Sequence, residues 1–231
     1  MNMKTSNNWF DEGPRATWEE HLLPLKDSID SYLEIGVCEG VSMRWILENL
    51  EPSKAVGIDP WKAPKFGKQG VFDKYRENAF HNLRKYLGSE FQEEANPKIT
   101  SPLFYFGHTN IGESATVRIF QATSWDAFHN ESNDYHIEDN SFDLAYVDGS
   151  HDGSRAMEDM VHVWRKLKRG TEGRRAQLGG GIMVVDDLHR RWHRGRALVR
   201  PAVEAFRLAY DGLWTVLWET PRQVAFLKHK D

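Results

Sequence analysis

Short, apolar segments alternate with segments of helical spacing along most of this chain, and that alternation restricts its fold more than any other feature. "SYLEIGV" (31–37), "KAVGIDPW" (54–61), "TVRIFQA" (116–122), "FDLAYVD" (142–148) and "GGIMVVDD" (180–187) read as strands. Most are apolar throughout rather than at every second residue, which marks strands covered on both faces. Between them, "EGVSMRWILENL" (39–50), "FDKYRENAFHNLRKYLG" (72–88) and "SRAMEDMVHVWRKLKRG" (154–170) carry helical spacing. In the second, Phe72, Tyr75, Ala79, Leu83 and Leu87 form one stripe and Gly88 closes the helix. "GPRATWEEHLLPLKD" (13–27) is an opening helix, and "RALVRPAVEAFRLAYDG" (196–212) is a helix interrupted near Pro201. "LWTVLWETPRQVAFLK" (213–228) gives two strands around a Thr-Pro turn. The expected fold class is α/β: a doubly wound, mostly parallel, seven-stranded sheet with one antiparallel edge strand.

The totals agree with a single domain over residues 1–231, with an N-terminal helical extension over 1–30 and an insert over 89–116. Hydrophobic residues are 40 % of the chain, enough for a sizeable core. The net charge of −4 carries no general nucleic-acid footprint. Cys38 is the single cysteine, so no internal disulfide forms, which fits a reducing, cytoplasmic setting. No apolar run approaches the ~18 residues of a membrane span, and the N-terminal stretch lacks a signal-peptide core.

In doubly wound sheets ligands bind outside the carboxyl ends of the strands, so the residues at those ends are the site candidates. Gly36 and Gly40 lie between a strand and a helix start, where backbone can approach a ligand. Their G-x-x-x-G spacing departs from the G-x-G-x-x-G of dinucleotide sites and disfavours NAD. A tight turn that needs glycine is the alternative. Asp59 ends the second strand, where an acid can accept hydrogen bonds from both ribose hydroxyls. Asp148 ends the fourth strand and Asp186 with Asp187 the fifth. Converging carboxylates repel unless a cation sits among them, and a hard divalent ion with oxygen ligands is the simplest solution. His151 follows Asp148 by three residues, as either a turn residue or a base. Cys38 reads as a packing residue.

In this order "YLEIGVCEGVS", "VGIDPW", "FDLAYVDGSH" and "GGIMVVDDL" resemble the class I S-adenosylmethionine-dependent methyltransferases. Within them the chain is similar to the metal-dependent O-methyltransferases of the macrolide- and aminocoumarin-sugar type and, more distantly, the catechol type. The resemblance covers roughly residues 30 to 230. It implies a Rossmann-like fold and S-adenosylmethionine as cofactor. Glu34, Gly36, Gly40 and Ser42 would hold its methionine portion, Asp59 its ribose, and Thr123 and Ser124 its adenine side, with Asp148 facing the cofactor as well. Asp148, Asp186 and Asp187 match a triad for Mg²⁺ or Mn²⁺, and His151 matches the general base. The catechol type has a lysine near that place instead.

The implied partner is a small hydroxylated acceptor, such as a sugar-containing natural product, with no nucleic acid and no membrane; a homo-oligomer is compatible with the chain. The basic stretch Arg190, Arg191, Arg194 and Arg196 points to an anionic acceptor, unless it is a solvated face. Three rival readings remain open at this stage: a metal-independent methyltransferase acting on another acceptor, a non-catalytic cofactor-binding protein on the same fold, and a fold-related metal-dependent hydroxylase-like enzyme.

Overall fold

The computed structural model describes residues 3–6, 8–62, 67–86, 91–94, 103–106, 116–129, 136–170, 179–189, 191–192 and 196–229. In chain order its elements are α1 (Pro14–His21), β1 (Ser31–Ile35), α2 (Val41–Asn49), β2 (Lys54–Ile58), α3 (Gln69–Leu83), β3 (Phe91–Glu94), β4 (Leu103–Phe106), β5 (Thr116–Phe120), α4 (Ser124–Phe128), β6 (Leu144–Val147), α5 (Gly153–Lys166), β7 (Ile182–Val185), β8 (Arg191–Trp192), β9 (Arg196–Ala197), α6 (Val199–Ala209), β10 (Trp214–Glu219) and β11 (Val224–Lys228).

The main sheet runs in the order β10-β11-β7-β6-β1-β2-β5-β4-β3. Its centre, β7-β6-β1-β2-β5, is parallel. Every residue of β1, β6 and β7 is buried, as strands covered on both faces must be. Seven strands are the expected ones. The antiparallel strand, β11, lies one place in from the edge, with β10 outside it. Within the 89–116 insert, β3 and β4 form an antiparallel hairpin that extends the sheet past β5 to nine strands.

Two apolar layers sandwich the sheet. One gathers Trp18, Met43, Trp45, Ile46 and Leu83 from α1, α2 and α3. The other gathers Met160, Val163, Trp164, Val203 and Phe206 from α5 and α6. Each such side chain contributes roughly 1.5–3 kcal/mol by leaving water. Lys228, buried at the end of β11, donates to the carbonyls of Trp164 and Leu167 and so caps the last turn of α5. No helix among the described residues is long and apolar enough to cross a membrane.

Three helices depart from expectation, two of them at prolines; the third, α3, begins at Gln69 and gives way after Leu83 to a 3₁₀ turn over Arg84–Tyr86, with Leu87 and Gly88 outside the described residues. The opening helix stops at His21 and continues as a 3₁₀ helix over Leu23–Ser28. Pro24 lacks the N–H that would bond the Glu20 carbonyl, so the α-helical ladder stops there. Pro201 does not interrupt a helix: it stands in the first turn of α6, which begins at Val199. A missing N–H costs nothing there, because first-turn N–H groups have no helical acceptor.

The register of the parallel strands sets up the site. Ile35 pairs with Ile58 and with Val147, and Val147 pairs with Val185. The four strands therefore end on one line, and the next residues, Gly36, Asp59, Asp148 and Asp186, leave the sheet together. The chain winds from β1 toward β2 and β5 on one side and later fills β6 and β7 on the other, so the switch point lies between β1 and β6. There Gly36, at φ 95°, passes so close to β6 that an added Cβ would stand 2.2 Å from the Asp148 carbonyl oxygen.

Gly36→Ala should accordingly destabilise the fold by roughly 2–4 kcal/mol, through the clash and the left-handed backbone. Thermal denaturation measures it; a variant that melts with the wild type would show that the two tips can separate freely.

Candidate active site

The loop after β1 is held in shape by an acid from the next strand. Asp59 accepts the Cys38 N–H at 2.8 Å through Oδ2 and the Trp61 N–H at 2.7 Å through Oδ1. Trp61 is buried and left-handed at φ 40°, and its indole N–H donates to the Cys38 carbonyl at 2.8 Å. Two of these hydrogen bonds tie the β1 tip to the β2 tip, and the third, from the Trp61 N–H, fixes the Asp59 carboxylate. The loop needs them, because Gly36, Cys38 and Gly40 all have positive φ. Burial raises the Asp59 carboxyl to about 6, against the lowering effect of its two N–H donors. Each carboxylate oxygen offers two acceptor sites, so Asp59 retains capacity for a ligand's hydroxyls. Burial, then Asp59 and Glu39, push the Cys38 thiol far above its ordinary range, which makes it inert.

Glu34 is wholly buried beneath this loop and accepts the hydroxyls of Tyr32, at 2.9 Å, and Ser42. Gly40 precedes the first residue of α2 at φ 71°. Glu39, whose side chain is also buried, accepts from the backbone and hydroxyl of Ser6, at 3.0 and 2.9 Å, and from Asn78 at 2.6 Å. The N-terminal segment therefore lies against the loop. At the β5 tip, Thr123 caps α4 and bonds the Asp126 carboxylate at 2.7 Å, while Ser124 donates to the buried Asp159 of α5. Both hydroxyls serve the local fold, and they flank the half-exposed Trp125.

Asp148, His151 and Asp187 come together: one ligating atom of each lies within 4.8 Å of the others. His151 Nε2 is 2.7 Å from Asp187 Oδ2. Asp187 reaches this position through a left-handed backbone, φ 61°, unusual for a residue with a side chain and costing of order 1–3 kcal/mol. Asp152 caps α5 by accepting the N–H groups of Ser154 and Arg155, so the helix start fixes the turn that carries His151. Burial, then the charges of Asp186 and Asp187, push the Asp148 carboxyl well above the usual carboxylate range.

Asp186 is not brought into that cluster. Its Oδ1 accepts Arg222 Nε at 2.8 Å and the Asp187 N–H at 2.5 Å, and its Oδ2 accepts Gln223 at 3.0 Å and the Tyr146 hydroxyl. Tyr146 also stands 3.2 Å from Asp148. Sequence reasoning passed over Tyr146, Arg222 and Gln223, since the last two lie 36 and 37 residues from Asp186 in a hairpin turn with no local signal. Trp61 did carry one: a Trp placed directly behind a strand-ending Asp-Pro. In the basic stretch, Arg190 and Arg194 lie outside the described residues, and Arg191 and Arg196 fall in the two-residue strands β8 and β9.

The tips thus offer a loop clasped by an acid, a pair of carboxylates, and an imidazole 2.7 Å from one of the pair. A family model described as a methyltransferase domain matches residues 33–172. Among solved structures the chain is similar to a cofactor-bound protein from MTB, at 15 % identity and TM-score 0.53, over 91 % of this chain and 78 % of that one. It is similar to the O-methyltransferase NovP at 14 % identity and TM-score 0.51, over 89 % and 75 %. A precorrin-6y C5,15-methyltransferase from Geobacter metallireducens matches at 13 % identity and TM-score 0.51, over 98 % and 93 %. At such identities these likenesses show the fold, and the fold does not select the acceptor. No curated protein matches the chain.

Glu34 supplies a test of the buried floor. Burial raises its carboxyl from 4.5 to about 8, outweighing the hydroxyls of Ser42 and Tyr32, which lower it. The folded protein then keeps a proton that the unfolded chain releases, so stability from this group is lost as pH rises from about 4.5 through about 8. Glu34→Gln removes the ionisation and keeps the shape. Urea unfolding should show the variant gaining on the wild type by up to roughly 1.4 kcal/mol per pH unit across that interval. Parallel pH profiles would mean that Glu34 ionises freely in the folded protein.

Proposed function

We propose the reaction from a plain premise: this chain belongs to the methyltransferase-domain family, as a class I S-adenosylmethionine-dependent methyltransferase. The reading is a divalent-metal-dependent transfer of the methyl group to a hydroxyl of a small molecule or of a sugar-containing natural product. The observation that carries it is the convergence of Asp148, His151 and Asp187 on one point at the strand tips, beside the loop clasped by Asp59.

The donor side follows from the loop. Asp59 is suited to accept both ribose hydroxyls with the capacity its two N–H bonds leave. Gly36, Gly40 and Ser42 line the path of the methionine portion above Glu34, and Thr123, Ser124 and the adjoining strand end would flank the adenine. S-adenosylmethionine supplies an electrophilic methyl group on sulfur. The chain's task is to hold an acceptor oxygen in line with that carbon, and positioning of this kind supplies up to ~7–11 kcal/mol.

The acceptor side follows from the acids. Asp148 and Asp187 are hard oxygen donors whose mutual repulsion a divalent cation would relieve, so the donor set fits Mg²⁺ or Mn²⁺. Such an ion, when bound, acidifies and orients a hydroxyl. Asp186 supports this pair through its bond to the Asp187 N–H. The hydroxyl proton passes to the His151 ring as the new C–O bond forms and the C–S pair returns to sulfur. The carboxylate of Asp187, 2.7 Å from Nε2, stabilises the imidazolium that results.

The experiment is a methyl-transfer assay with an acceptor found among hydroxylated small molecules, paired with calorimetry of S-adenosylhomocysteine. EDTA should abolish turnover. His151→Ala should lower kcat by about 10²–10⁴, the usual worth of general acid–base catalysis, with S-adenosylhomocysteine affinity unchanged. Full activity in EDTA would leave a metal-independent enzyme, and an unaffected His151→Ala would reduce the histidine to a turn residue.

A further inference from the structure

At the end of the sheet opposite the strand tips lies a polar cavity of about 260 Å³, lined by Lys54, Thr116, Arg118, His136 and Glu138. Lys54 and Thr116 open β2 and β5 and are register partners. The whole length of β2, at ~3.3 Å per residue, separates them from Asp59. Thr116 and Arg118, two apart on one strand, point to the same face.

The lining groups converge without satisfying one another. Arg118 Nε is fully enclosed and has no hydrogen-bond partner among the described residues. The Lys54 ammonium lies 4.5 Å over the Phe142 ring and makes no ion pair among the described residues. Burial holds that ammonium below its ordinary range; Arg118 and Lys168 push the same way, and Glu138 opposes them. Lys168 is already matched, its Nζ 2.9 Å from both oxygens of Asp143. Two half-buried cations thus face one space, with the exposed Glu138 as the acid on its wall.

An apolar occupant would leave every one of these donors unpaired. A tetrahedral oxyanion would meet the planar fork of Arg118, the point charge of Lys54 and the Thr116 hydroxyl at once. We propose that this cavity binds a phosphate group, carried by a small phosphorylated molecule or present as free phosphate, at a site separate from the methyl-transfer centre.

The test is isothermal titration with inorganic phosphate, with ribose 5-phosphate and with a short single-stranded oligonucleotide, at ionic strength held constant with chloride. The wild type should take up one phosphate per chain, saturably. Arg118→Gln and Lys54→Gln should each weaken it at least about tenfold, the loss of one charge-assisted contact. S-adenosylhomocysteine binding should stay unchanged. A tighter fit for ribose 5-phosphate identifies an esterified ligand, and equal affinities identify free phosphate. Absence of saturable phosphate binding, affinity kept in both variants, or a preference for the oligonucleotide would overturn the proposal. Should Arg118→Gln not fold, Lys54→Gln decides alone.

Discussion

The parallel register of β1 with β2 and β6, and of β6 with β7, governs everything at the active end of the molecule. With Ile35, Ile58, Val147 and Val185 on one line, four chain segments leave the sheet at the same height. A slip by one residue would turn each strand's side chains to the opposite face and would separate Asp148 from Asp187. Gly36 is part of the same constraint. Its missing Cβ lets the β1 tip pass the Asp148 carbonyl, so that glycine serves backbone packing before it serves any ligand.

Once the tips are aligned, electrostatics decides what they can hold. Five acids, Glu34, Asp59, Asp148, Asp186 and Asp187, stand at or beneath one end of the sheet. Each is managed differently. Glu34 keeps its proton, Asp59 is tied by N–H donors, and Asp186 is paired with Arg222. Asp148 and Asp187 are left facing each other with an imidazole beside them. Three of the five acids are thus engaged by groups that hold the local fold, while Asp148 and Asp187 converge with His151 on one point.

Much of this was legible in the sequence, for a physical reason. Strands buried on both faces are mostly apolar, so β1, β6 and β7 stand out, and the acids just past their ends stand out with them. The positions of Asp59, Asp148 and Asp187 at the strand tips were read that way. The partner of Asp186 was not legible, because Arg222 reaches it from the turn between β10 and β11, and long-range ion pairs leave no local pattern. The α6 start was misread for a different reason: a proline has opposite meanings in the first turn and in the interior of a helix, and the boundary itself was the unknown. The β3–β4 hairpin was hidden because its two short strands sit among prolines and polar residues that read as loop.

The reading proposed for the site turns on Asp148 and Asp187, and not Asp186, as the ligands of a divalent ion. Electron paramagnetic resonance of Mn²⁺ added to the protein measures this without any acceptor. Wild type should bind one Mn²⁺, Asp186→Asn should weaken it by no more than the ~10–100-fold expected of a supporting residue, and Asp187→Asn should lose saturable binding altogether. Equal binding by wild type and Asp187→Asn, or loss of the ion in Asp186→Asn alone, would contradict the account.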